Sequence, residues 1–229
     1  AGGTYTPDDN RSQLVKETSG EFTLTTKDQY LYRFDTYGWL SWMKDPDDNT
    51  ITIQTNISAG RITGITDSAQ RQYTISYNTD NLIETITDPL GRTVTYQYDN
   101  KLLARVIDPM GSITRYYYDT ENFLDEIKDH NYNLIESLAY DHTNGVDSGK
   151  VTSTTDAYGN TYTYTYNTVD GKTIITDTNG RQKTQWYDNS GYVVLTQDAE
   201  GRYNTTEYFT DAQGENKYGE VKSVIDRNG

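Results

Sequence analysis

Asp88-Pro89-Leu90-Gly91-Arg92-Thr93-Val94-Thr95-Tyr96-Gln97-Tyr98-Asp99 reads as a turn followed by a strand. Asp first, Pro second and Gly fourth suit a type I turn, with the glycine placed to form a bulge at positive φ. The phrase then alternates toward Tyr-Asp, as a strand with two unlike faces should. It returns along the chain. Asp45, Asp67, Asp88, Asp108, Asp129, Asp156, Asp177, Asp198 and Asp226 recur at intervals of 22, 21, 20, 21, 27, 21, 21 and 28 residues. Units this short cannot bury a core alone and must stack on their neighbours. The expectation is a single array over residues 1–229, all-β, built of antiparallel hairpins in one continuous curved or spiral sheet.

Each half of the repeat has its own chemistry. Thr161-Tyr162-Thr163-Tyr164-Thr165-Tyr166 alternates strictly, which puts three tyrosines on one face and three threonines on the other. The tyrosine face continues through Tyr73, Ile75 and Tyr77, through Val94, Tyr96 and Tyr98, and through Thr114, Tyr116 and Tyr118. An earlier unit supplies Tyr30, Tyr32 and Phe34. Aromatic and β-branched neighbours across strands contribute about 0.2–1 kcal/mol each, so a long ladder can stand in for a compact core. The second arm is aliphatic five residues before the anchor aspartate (Leu40, Ile62, Ile83, Leu103, Leu124, Val151, Val193, Val221) and again two before it (Met43, Ile65, Ile86, Val106, Ile127, Ile175, Val224). Lys172, Thr154 and Thr196 are the exceptions. A spacing of three puts the two positions on opposite faces of a regular strand, so either a bulge intervenes or one residue belongs to the turn.

Turn residues mark both ends of the hairpins. Gly91, Gly111, Gly159, Gly180 and Gly201 follow anchor aspartates by three, and Asp35, Asp99, Asp119 and Asp188 open turns at the Tyr-Asp end. An aspartate there can accept backbone N–H groups two or three residues on. The excess length of two units falls in 141–150 and 210–220, read as longer hairpin tips, and residues 1–20 form an imperfect leading unit. About 18 strands at ~4.8 Å each exceed what an open twisted sheet carries without curling, which points to coiling into a spiral ribbon. Cut out of such a ribbon, the chain should expose strand edges and associate through them.

Bulk chemistry narrows the function. The formal net charge of −14 offers no basic patch for nucleic acid or an anionic membrane surface, and no apolar run is long enough to insert. With 22 tyrosines the chain is not composed like a disordered one. No cysteine is present, so disulfides, a thiolate nucleophile and cysteine-based zinc sites are excluded. His130 and His142 are the only histidines, near a long loop where a solvated role is expected, and no catalytic triad spacing accompanies them. Asp45-Pro46-Asp47-Asp48-Asn49 resembles the start of a calcium loop, but Thr50 and Asn56 stand where that loop needs Gly and Glu. Neither a catalytic residue, a cofactor nor a metal is expected. Flat aromatic rings leave a binding reading open, with Trp39, Trp42 and Trp186 as candidates to stack on sugars against the alternative that they pack cross-strand.

The phrase resembles the tyrosine-aspartate (YD) repeat of Rhs proteins, a family that includes bacterial polymorphic toxins, wall-associated proteins, insecticidal toxin-complex subunits and teneurins. The matching residues are Gly91-Arg92 with Tyr96-Gln97-Tyr98-Asp99, Gly111 with Tyr116-Tyr117-Tyr118-Asp119, Gly159 with Tyr164-Thr165-Tyr166-Asn167, and Gly180-Arg181 with Trp186-Tyr187-Asp188. Tyr77 holds the same place in its unit. The resemblance covers roughly residues 20–229. It implies a segment of a secreted or surface-displayed β-shell, bacterial cell wall included, that encloses or presents a toxin or other cargo domain of a longer parent chain. Shells of this family often cut themselves near Asp-Pro-x-Gly-Leu. Arg92 and Ser112 stand in place of the leucine at the two candidate positions, and the turn reading is preferred. The alternative is a surface module that binds cell-wall glycan or a receptor.

Overall fold

The computed structural model describes residues 4–5, 12–143, 148–209 and 221–226. Its contacts divide the chain into two units, Ala1–Ser112 and Ile113–Gly229. The first holds β1 (Thr4–Tyr5), β2 (Gln13–Lys16), β3 (Phe22–Thr25), β4 (Leu31–Phe34), β5 (Leu40–Lys44), β6 (Thr50–Asn56), β7 (Arg61–Thr66), β8 (Gln72–Tyr77), β9 (Ile83–Thr87), β10 (Thr93–Asp99) and β11 (Leu102–Ile107). The second holds β12 (Ile113–Tyr118), β13 (Leu124–Lys128), β14 (Leu134–Tyr140), β15 (Val151–Asp156), β16 (Thr161–Asn167), β17 (Lys172–Thr176), β18 (Gln182–Tyr187), β19 (Val193–Gln197), β20 (Tyr203–Tyr208) and β21 (Val221–Asp226). No helix occurs among the described residues, so none there is long and apolar enough to cross a membrane.

Within each unit the strands pair antiparallel in chain order, each with the one before and the one after. Among the described residues no strand touches a strand further along, so each ladder is open and does not curl back on itself. Winding into a spiral, expected from the strand number, is therefore not a feature of either unit. Each unit stays near the ~10 strands that an open sheet carries without curling. The imperfect leading unit contributes the short strands β1 and β2. The tip at 210–220 lies outside the described residues, as does 144–147 within the tip at 141–150.

A single layer has no interior. No described apolar side chain is fully buried, and the most buried polar ones are Thr173 at 6% exposure and Arg115 at 9%. Cohesion must come from strand-to-strand contacts, and the second-arm spacing shows how these are arranged. Opposite Tyr98 lies Leu103 and opposite Tyr96 lies Val106, with the register slipping by one residue between them. Ala104 is the extra residue, a β-bulge. The same slip sets Ile83 and Ile86 opposite Tyr77 and Ile75, and Leu124 and Ile127 opposite Tyr118 and Tyr116. The bulge thus brings both aliphatic positions onto the tyrosine face. The β16–β17 hairpin pairs without a slip, and Thr173, not Lys172, sits opposite Tyr166. The sequence exception at Lys172 marks a hairpin built without a bulge, as β2–β3 of the leading unit also is.

The turns follow one pattern. In the hairpin at 88–92 the Gly91 N–H donates to the Asp88 carbonyl and the Asp88 N–H to the Arg92 carbonyl. Gly91 has φ +80°, with open space where a Cβ would stand. Gln29, Asp48, Gln70, Asn81, Asn122 and Tyr132 hold the equivalent place at positive φ without being glycine. A left-handed backbone costs an L-residue about 1–2 kcal/mol. Gly91→Ala should therefore destabilise by about 1 kcal/mol through backbone strain alone, and Gln70→Gly should shift the urea midpoint the other way. A Gly91→Ala variant with an unchanged midpoint would contradict this assignment.

Candidate functional site

Two recurring devices carry the functional chemistry of the chain, and both are built from the repeat phrase. The first is the turn carboxylate. Asp88 Oδ1 accepts the backbone N–H groups of Leu90 and Arg92, each at 2.9 Å. Asp119 does the same with Glu121 and Phe123, Asp188 with Ser190 and Tyr192, and Asp35 with Tyr37 and Trp39. The acceptor pattern is thus two and four residues on, because the third N–H, that of Gly91 and its equivalents, is taken by the aspartate's own carbonyl. Asp99 departs from the expectation. It stays in β10, paired with Leu102 across a two-residue turn in which Asn100 and Lys101 both have positive φ, as a type I′ turn requires.

The second carboxylate oxygen is held at the anchor end. Arg71, Arg92, Arg181 and Arg202, four residues after their aspartates, donate Nε to Oδ2 at 2.6–2.8 Å. Asn49, Asn133 and Asn160 do the same through Nδ2. These contacts keep the carboxyls below their ordinary values. The backbone N–H of Arg71 or Arg181 is the largest cause for Asp67 and Asp177, and the asparagine amide is for Asp45, Asp129 and Asp156. The apparent calcium loop at Asp45 is one of these turns, and no metal-binding cluster occurs among the described residues.

The second device is a tyrosine clasp. Tyr77 donates its hydroxyl to the Ile62 carbonyl, Tyr98 to Ile83 and Tyr166 to Val151, each at 2.7 Å, and Tyr208 donates to Val193 at 3.0 Å. Each acceptor lies 15 residues back, on the strand beside the tyrosine's own, and is the first aliphatic residue of a bulged arm. Between such arms the ladder holds only three pairs, as in β7–β8, β9–β10, β15–β16 and β19–β20. Beyond the third pair the strands separate, and the phenol closes the gap. Burial pushes the Tyr98 phenol above its ordinary value, with Tyr96 adding to the effect.

Tyr187 shows what the bulge is for. Its predecessor strand β17 is unbulged and pairs with β18 over five residues up to Lys172 and Trp186, leaving no gap to close. Its hydroxyl reaches only Gln185 at 3.4 Å, and its backbone N–H takes the Gly171 carbonyl. A cation or a second ring covers several clasp tyrosines: Arg61 lies 4.9 Å from the Tyr77 ring, Lys150 4.8 Å from that of Tyr166, and Tyr192 stacks on Tyr208 at 4.8 Å. These covers and the Arg/Asn contacts went unread in the sequence, although Arg or Asn after the fourth turn position is a visible signal.

Trp39 follows a turn, 40% exposed and against Gly60. Trp42 lies opposite Arg33 and Thr52, away from the Tyr32 and Met43 face, in the same unit. Trp186 belongs to the other unit, 6.4 Å from Tyr203. His142 is not simply solvated: its two ring nitrogens stand 3.2 Å from Asp119 and from Glu121, beside the Phe123 ring. His130 offers its backbone carbonyl to Arg115, whose guanidinium also lies 3.9 Å from the Tyr132 ring. A groove of about 780 Å³ between two turn tips is lined by Arg71, Tyr73, Leu90 and Arg92, but both arginines are already engaged by turn aspartates.

No protein-family profile and no curated protein matches this sequence. Solved structures do. The TcdB2-TccC3-TEV crystal structure is 10% identical over 97% of this chain and 13% of that one, with a TM-score of 0.49. The Photorhabdus luminescens Tc holotoxin pore is 11% identical over 93% and 15%, at 0.44. The TCP10 domain of Danio rerio CPAP, in complex with a STIL peptide, is 15% identical over 99% of both chains, at 0.26. This chain therefore spans less than a fifth of the toxin-complex chains it matches, and likeness at this level carries no activity across.

Removing a clasp hydroxyl leaves a carbonyl without its donor. Tyr98→Phe should cost about 1 kcal/mol in chemical denaturation, whereas Tyr187→Phe should cost clearly less. Equal losses at the two sites would refute the clasp. The turn carboxylates give a pH dependence. Their folded values lie below the ordinary 3.8, so their stabilisation is complete above that pH and is lost as pH falls through the folded values. The melting temperature should hold between about pH 7 and 5 and drop below about pH 4. A decline already at pH 6 would assign the acid sensitivity elsewhere.

Proposed function

We propose that this chain is a structural repeat segment of a longer secreted or surface-displayed shell of the YD type, in which the array encloses or presents another domain. The supporting observation is a sheet held entirely by local locks, with no core, that leaves a tyrosine and aliphatic face half exposed across many strands. A wall needs this property: hairpins add without limit, and each brings its own stabilisation. The role requires no catalysis. The phrase resemblance supports a location outside the cell, with the bacterial cell wall as the first candidate site. A second reading, a glycan- or receptor-binding surface, draws on Trp39 and Tyr37 exposed together at one turn.

Protease protection of the parent protein tests the first reading. The presented domain should resist digestion within the parent and be cut when expressed alone, and equal cleavage in both would refute enclosure. Glycan titration of this chain separates the second: saturable binding lost in Trp39→Ala or Trp186→Ala favours it, and no binding across a broad array favours the scaffold.

A further inference from the structure

At the anchor end, Arg or Asn of the same turn holds the second aspartate oxygen, and neither side chain changes charge near neutral pH. Asp119 is held differently. Its Oδ1 accepts the N–H groups of Glu121 and Phe123, while its Oδ2 faces Nε2 of His142, 3.2 Å away and just beyond β14. Nδ1 of the same ring stands 3.2 Å from Glu121 Oε2. The imidazole also packs on Phe123, with ring centroids 5.6 Å apart, and Phe123 stacks on Tyr140 at 4.9 Å. A Cβ on Gly149 would stand 3.4 Å from the Phe123 ring, so the returning chain closes on the same cluster.

A neutral imidazole has one N–H and one lone pair. It can donate to Asp119 or to Glu121, and the carboxylate left over then faces the lone pair. The imidazolium donates to both. We infer that His142 is a pH-sensitive latch: protonated, it ties the turn at 119–123 to the chain leaving β14, and on losing its proton it lets one of the two carboxylates go. Neighbouring groups are mostly acidic. Thr143 holds the Asp141 carboxyl below its ordinary value, chiefly through its backbone N–H, and His142 adds to that effect. Burial raises the Tyr140 phenol, and Asp119, Asp125 and Glu136 raise it further. Lys150, on the returning chain, directs its ammonium to the Tyr166 ring. Folding gives the imidazolium two partners that the unfolded chain lacks. The latch is therefore complete in acid and is lost as pH rises through the titration of the histidine, between about pH 5 and 8. The His142 side chain is 38% exposed, so the effect is local. It does not depend on what the array encloses.

Amide hydrogen exchange of the intact chain, corrected at each pH for the intrinsic exchange rate, tests the latch. The amides to follow are Phe123, Asp141 and Gly149, all hydrogen-bonded within the cluster, and Tyr192 in the equivalent turn at 188–192, which has no histidine. Protection of the first three should fall about two- to fivefold between about pH 5.5 and pH 7.5, the range found for exposed ion pairs, while that of Tyr192 stays flat. His142→Asn should remove the pH response and leave circular dichroism unchanged. Glu121→Gln should flatten it too, because an amide N–H can donate to the lone pair of the neutral ring while the other ring nitrogen donates to Asp119. Constant protection of Phe123, Asp141 and Gly149 across this range in the native chain overturns the latch. So does a fall that persists in His142→Asn, a fall of the same size at Tyr192, or a Glu121→Gln chain that responds as the native one does.

Discussion

A sheet one layer thick has no interior in which to hide unpaired backbone groups, and this constraint governs the rest of the molecule. The bulge on the second arm of nearly every hairpin gathers two aliphatic residues onto one face, at the expense of regular pairing. The ladder to the next hairpin then stops after three pairs, and a carbonyl is left facing an opening. A tyrosine from the incoming strand fills that opening with its ring and satisfies the carbonyl with its hydroxyl. Bulge, short ladder and tyrosine are parts of one arrangement, and β17, which lacks the first, lacks the other two.

The turn carboxylates solve the complementary problem at the rims. A reversing chain leaves several N–H groups without ladder partners, and a single aspartate oxygen collects two of them while the backbone carbonyl takes a third. The other oxygen then engages Arg or Asn, so the charge density of an acidic chain is partly neutralised where it is highest. Such contacts between exposed groups are individually weak. Their effect lies in repetition, because each of these turns is closed chiefly by its own residues.

Locality of this kind explains why a chain with so little apolar content adopts a defined structure. Stability is shared among neighbouring strands, in the manner of other repeat proteins.

Residue pattern alone determined the strands, the turns and the tyrosine face. Period-two alternation in 161–166 and the Asp-x-x-Gly signature depend only on backbone geometry within one hairpin. The pattern also marked Lys172 as exceptional without saying why. What needed the folded chain was every relation between strands: the bulge that resolves the three-residue spacing, the phenol reaching a carbonyl 15 residues away, and the pairing of His142 with Asp119 and Glu121. The placement of Asp99 within a strand, instead of at a turn, also belongs here, since Asn100 and Lys101 reverse the chain before its side chain is needed. Register is a property of two strands together, set by which side chains meet across them, and a single strand read alone does not contain it.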